Sequence, residues 1–168
     1  MTWTYDPLQG VNASLNLARL GAIARRYIVN AYGTMTDALN AGLDSDRFEV
    51  EWYLASARVR ALECGPTSRA AVPVGQFVYT IRWDDAGFPA IAGESPLAGE
   101  TLLVEIPENL NALRASNLNH GLEWRARTRD TFQRAFAAGY VACDVWRLTD
   151  EQGRIRIYYE LRQYLPIP

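Results

Sequence analysis

The chain has 168 residues, 49% hydrophobic and 21% charged, which is enough for one domain or two small ones with a real core and excludes a disordered chain. Its formal net charge of −2 lacks the positive field that nucleic-acid binders use, so no nucleic-acid partner is expected. No run of about 18 apolar residues offers a membrane span, and no basic-then-apolar leader opens the chain, so a cytoplasmic protein with no membrane partner is expected.

Taken in chain order, residues 2–5 (Thr-Trp-Thr-Tyr) favour a strand, which Asp6-Pro7 ends because proline removes a donor and restrains its neighbour. Asn12 is a good N-cap for a helix to Leu20 with Leu15, Leu17, Ala18 and Leu20 on its apolar face, and Gly21 is placed to stop it. Alternation returns over Ile23 to Tyr32 and is clean over Arg47 to Leu54, where Phe48, Val50, Trp52 and Leu54 oppose Glu49, Glu51 and Tyr53. The stretch 63–76 has two prolines, two glycines and few large apolar side chains, so it reads as a linker between units 1–62 and 77–168.

Beyond it, Phe77 to Trp83 reads as a strand, Asp84 to Gly87 as a turn, and the next residues as a Gly- and Pro-rich loop. Thr101 to Ile106 is apolar enough for a strand well inside a sheet, and Pro107-Glu108 opens a short helix. The longest helix is expected from about Asn119 to Ala138, with Leu118, Leu122, Phe132 and Phe136 on its buried side and Gly139 at its end. Val141 to Leu148, a turn at 150–153 and Arg154 to Leu161 make a hairpin. The fold class is therefore α/β in the broad sense (α+β), a mixed β-sheet flanked by helices, with the C-terminal unit packing on the same sheet.

All 17 basic residues are arginine, first a sign of coding bias and second a chemistry suited to bidentate anion recognition. Cys64 and Cys143 have no partner spacing for a zinc site or a disulfide framework, so both read as buried thiols and no metal is expected. His120 is the only histidine, which removes a Ser-His-acid relay.

Three stretches, WTYDPLQGVNASLNLARLGAIARRY, YGTMTDALNAGLDSDRFEVEW and WRARTRDTFQRAFAAGY, resemble an uncharacterised branch of the GNAT superfamily of acyl-CoA N-acyltransferases. The resemblance covers nearly the whole chain and implies transfer of an acyl group from acetyl-CoA, succinyl-CoA or a similar acyl-CoA to a small-molecule amine, in some members an amino acid. In that family the pyrophosphate is held by a Gly-rich loop, Arg/Gln-x-x-Gly-x-Gly/Ala, before the strand with which this chain opens. No such loop occurs here, so the resemblance implies a C-terminal portion of the family fold that needs a missing N-terminal half or a homodimer. Many members also carry a Tyr acid four residues before the Gly of the Leu-Gly pair, where this chain has Leu17, which transfers no proton.

Each remaining candidate residue has a plainer role beside its functional one. Asn12 and Asn16 could bond the pantetheine arm, or serve as an N-cap and a solvent-facing polar residue. Arg125 and Arg129, a helical turn apart, could hold an anion of the cofactor, or form a solvated face paired with Glu123 and Asp130. Glu49 and Glu51 could act as general base for the amine, with a solvent-facing strand as the alternative, and Asp6 stands at the carboxyl end of a strand, where ligands of α/β sheets collect. The expected function is acyltransferase-related, and the competing class is a non-catalytic binding or dimerisation module.

Overall fold

Residues Thr2–Tyr5 form β1, and Pro7 follows where the strand has to end. The structure, a computed structural model, describes residues 1–33, 44–63 and 74–166. The first helix begins before Asn12: α1, Gly10–Ala13, is entered from Gln9 in extended conformation, so Asn12 lies inside the first turn and is not its cap. It continues as a π-helical stretch, Ser14–Arg19. The widening has a local cause. Asn16 Nδ2 donates to the Asn12 carbonyl at 2.8 Å, in competition with the α ladder, and the Leu20 amide reaches back to Leu15 O at 2.9 Å. Gly21, at φ +71°, then turns the chain, and a Cβ there would also stand 2.8 Å from Leu62 Cδ1.

Strands β2 (Ile23–Ile28) and β3 (Arg47–Glu51) pair antiparallel, with β1 on the other side of β3. The expected continuation of β3 to Leu54 does not form: Leu54 is 53% exposed, and the chain turns into α2, Ala57–Glu63, a helix the sequence reading did not foresee. Most of the expected linker 63–76, together with Cys64, falls in 64–73, outside the described residues. The strand expected over 77–83 is two strands, β4 (Gln76–Phe77) and β5 (Tyr79–Trp83), in different sheets. Fully buried Val78 divides them, its amide on Leu103 O at 3.0 Å and its carbonyl taking the Ser95 amide at 2.8 Å. Instead of a loop, Pro89–Glu94 is β6, which pairs with β5.

After β7 (Thr101–Ile106) comes α3 (Leu110–Ser116), which is capped by Asn109 Oδ1 accepting from the Ala112 amide at 3.0 Å and so starts beyond Pro107-Glu108. The long helix α4 (Leu118–Ala137) ends at Gly139, and β8 (Val141–Thr149) with β9 (Ile155–Arg162) makes the hairpin. Among the described residues the fold is α+β: a seven-stranded mixed sheet in the order β1-β3-β2-β8-β9-β7-β4, plus the two-stranded β5-β6 sheet. Every neighbouring pair is antiparallel except β4 and β7. Strands from 1–62 and from 77–168 share the large sheet and meet where Ala24 pairs with Ala142.

The core lies between one face of this sheet and α4. Phe48 is at its centre, in ring contact with Tyr5, Tyr27, Phe132, Phe136 and Tyr159 at centroid distances of 4.8 to 5.9 Å. Directed bonds fasten the small sheet to α4, among them Trp124 Nε1 to Pro89 O at 2.9 Å, Tyr79 OH to Thr131 Oγ1 at 2.7 Å and Arg127 and Arg134 to Glu94. The first half of α4 turns a different side inward than its leucines suggest. Leu118 and Leu122 are 47% and 41% exposed, while Trp124, Arg125 and Thr128 are buried.

Candidate functional site

The carboxyl end of β1 gathers charged groups that are far apart in sequence. Asp6 Oδ1 accepts the Leu8 amide at 2.9 Å and Arg125 Nη1 at 2.8 Å, and its Oδ2 accepts Arg125 Nη2 at 2.7 Å. The helix face on which solvated arginines were expected therefore buries Arg125, which is 3% exposed. Beside it, Asp46, fully buried, accepts Tyr27 OH at 2.6 Å, the Asn30 amide at 2.9 Å and Arg129 Nε at 2.8 Å. Arg129 Nη2 also reaches Asp44 Oδ2 at 2.6 Å. Burial disfavours the Arg125 and Arg129 charges, yet their carboxylate bonds outweigh it and hold both guanidiniums above their ordinary pKa.

This arrangement decides what the cluster can bind. Three carboxylates (Asp6, Asp44, Asp46) face two guanidiniums (Arg125, Arg129), so its formal charge is −1 and it repels a phosphate. Asn16 is equally engaged. It is 5% exposed, not solvent-facing, and its Oδ1 accepts Trp3 Nε1 at 2.8 Å while its Nδ2 holds Asn12 O. Asn12 itself is exposed on the first turn. Asn12 and Asn16, expected from the resemblance, and Arg125 and Arg129, expected from their spacing, therefore do not assemble into an anion cradle.

Glu49 and Glu51 lie on the opposite face of β3 from Phe48, at the far end of the strand from Asp6 in the case of Glu51, which pairs with Thr2. Arg25 clamps Glu51 with bonds of 2.7 and 2.8 Å, and Tyr53 OH donates to the same carboxylate. Glu49 Oε2 has Arg26 Nη1 at 2.5 Å as a charge contact outside hydrogen-bonding angles. Glu49, Glu51, Arg26 and Tyr53 border, with Thr2 and Trp52, a cavity of about 190 Å³. Burial alone would raise the Glu51 pKa, but the Arg25 and Tyr53 bonds outweigh it and bring it below 4.5.

A different carboxylate, Glu105, shifts the other way. It is 3% exposed at the end of β7, and burial raises it above 4.5 despite bonds from Arg156 at 2.6 and 2.5 Å. Side-chain carboxyl carbon NMR should therefore place the Glu51 midpoint below 4.5 and that of Glu105 above it. The linked stability effects have opposite signs. Glu51 contributes stability that is present above its unfolded value and lost as pH falls through its folded one, while Glu105 costs stability as pH rises through its window. Midpoints in the reverse order would mean that the two environments are misassigned.

His120 Nδ1 lies 3.5 Å from Asp84 Oδ2, and Cys143, 1% exposed with its thiol pushed up to about 12 by burial, is chemically quiet. Among the described residues no group of three or more His, Cys, Asp or Glu is placed to hold a metal, and no helix is long and apolar enough to cross a membrane. Sequence reasoning singled out Asp6, Arg125 and Arg129 but missed Tyr27, Asp46 and Glu105, whose roles depend on partners in distant segments. Comparison with protein-family models, curated proteins and solved structures finds no match.

Proposed function

We propose that the chain is an acyltransferase-related protein of the GNAT kind and that it forms the acceptor side of transfer from an acyl-CoA to an amine. The observation that carries this reading is the unit made by β1, the π-widened helix, Gly21, β2 and β3, whose order follows the stretches that carry the family resemblance. Beside that unit the Glu49 and Glu51 carboxylates suit a protonated amine, and Glu49 is held by one charge contact where Glu51 is clamped by Arg25 and Tyr53. Because Arg125 and Arg129 are bound to carboxylates, the cofactor is held by other residues.

Calorimetric titration with acetyl-CoA and succinyl-CoA tests the reading. Saturable binding at micromolar strength is expected, unchanged in Arg129→Gln because that guanidinium faces Asp44 and Asp46. No heat with either ligand means that the chain is an incomplete enzyme that needs its missing half, or a non-catalytic assembly module. One feature favours that second reading: among the described residues β1 has β3 on one side and no strand on the other, which leaves a template for strand pairing. Light scattering would then find a dimer.

A further inference from the structure

At the end of the sheet away from Asp6, Gly21 and Ile23 meet the β3–α2 connection and the C-terminal segment around a cavity of about 390 Å³. That size suits a small organic ligand, for which pockets run from about 300 Å³ upward. The wall is largely apolar, with Ile23, Ala57, Leu165 and Pro166 facing the space beside the Tyr53 ring. Behind it lies a small satellite core of Ile23, Val141 and Cys143, so the pocket opens on a packed floor.

Two polar side chains break this apolar lining, and both have unused donors. Arg58 Nε donates to Gly21 O at 3.2 Å, and its Nη2 donates to Leu17 O at 3.2 Å and to Cys143 O. These carbonyls fix the guanidinium in place, while Nη1 has no hydrogen bond and no carboxylate lies within ion-pair distance among the described residues. Arg25 and Arg26 on β2, by contrast, are matched by Glu51 and Glu49. Ser56, 7% exposed, accepts the Val59 amide at 3.2 Å, and its hydroxyl proton has no acceptor among the described residues. A guanidinium cannot discharge by losing its proton, so a fixed and uncompensated one beside an apolar wall selects an anionic head on an apolar body.

We propose that this cavity is a binding site for an apolar monocarboxylate of about six to ten carbons, a range set by the pocket size. The carboxylate takes the Arg58 Nη1 and Ser56 hydroxyl donors, and the hydrocarbon lies along Ile23, Leu165 and Pro166. The site adjoins the Glu49 and Glu51 cavity through Tyr53, which lines both and donates to Glu51, but it does not depend on the acyl-transfer reading.

Calorimetry and amide chemical-shift mapping with octanoate test it, with octanol and octylamine as head-group controls. Octanoate should bind saturably and shift the amides of Ile23, Ser56 and Ala57, with octanol and octylamine weaker by about tenfold or more, as loss of a charge-assisted pair requires. Arg58→Gln should bring octanoate down to the octanol level. Arg58 also ties three carbonyls together, so Ala57→Phe, at an exposed position on the rim, is the independent variant: it fills the cavity and should abolish binding with the fold intact. Absence of saturable octanoate binding, equal binding of octanol or octylamine, or octanoate binding that survives Ala57→Phe would each overturn the proposal.

Discussion

Phe48→Ala is expected to lower the stability of the protein by about 3–5 kcal/mol, at the upper end for a single core truncation. The reason is its position. Phe48 is fully buried and has aromatic neighbours on β1, β2, α4 and β9, so its ring is where the sheet and the long helix are joined. Its neighbours are themselves rigid rings, which cannot collapse into the space left by the truncation. A chain of this size loses roughly 2–4 °C per kcal/mol, so the thermal midpoint should fall by about 10 °C, read by circular dichroism. A loss below about 1 kcal/mol would show that the aromatic cluster is not the centre of the core.

Arg125→Met is expected to cost a similar amount, about 3–5 kcal/mol, for an electrostatic reason. The substitution keeps the apolar stem but leaves the Asp6 carboxylate, 18% exposed, without the guanidinium that takes both of its oxygens. Replacing both partners, Asp6→Asn with Arg125→Met, should cost less than the sum of the two single changes, because no stranded charge remains. Urea unfolding of the wild type, both singles and the double closes the cycle. If Arg125→Met instead leaves stability intact and abolishes acyl-CoA binding, Arg125 is a ligand contact and the ion pair is incidental.

These two residues also mark what the sequence reveals and what it hides. The hairpin over 141–162 was legible because alternation and a turn-rich 150–153 are local signals, and the extent of α4 was legible because its glycine stop is local too. The inward face of α4 was not. Leu122 looks like core and Arg125 like surface until Asp6 arrives from the other end of the chain. The same reason hid Asn16, which looks polar and free but is the acceptor for the Trp3 indole. β6 was hidden because its Pro, Gly and Ala have low strand preference, and only pairing with β5 makes them extended. The site residues on the page by type alone, Asp6, Glu49, Glu51, Arg125 and Arg129, were visible as charges, but their pairing was set by topology.

The place of Ala142 opposite Ala24 has a consequence for how the protein is made. Until residues 141–162 leave the ribosome, β1, β3 and β2 lack the hairpin that stands between them and the β7–β4 pair in the sheet order. The nascent chain therefore waits with two open edges, and the last hairpin acts as the keystone that joins them. Such distant pairing slows folding relative to local contacts and exposes the waiting edges to association. Synthesis halted before Val141 would leave the two groups of strands with nothing to join them.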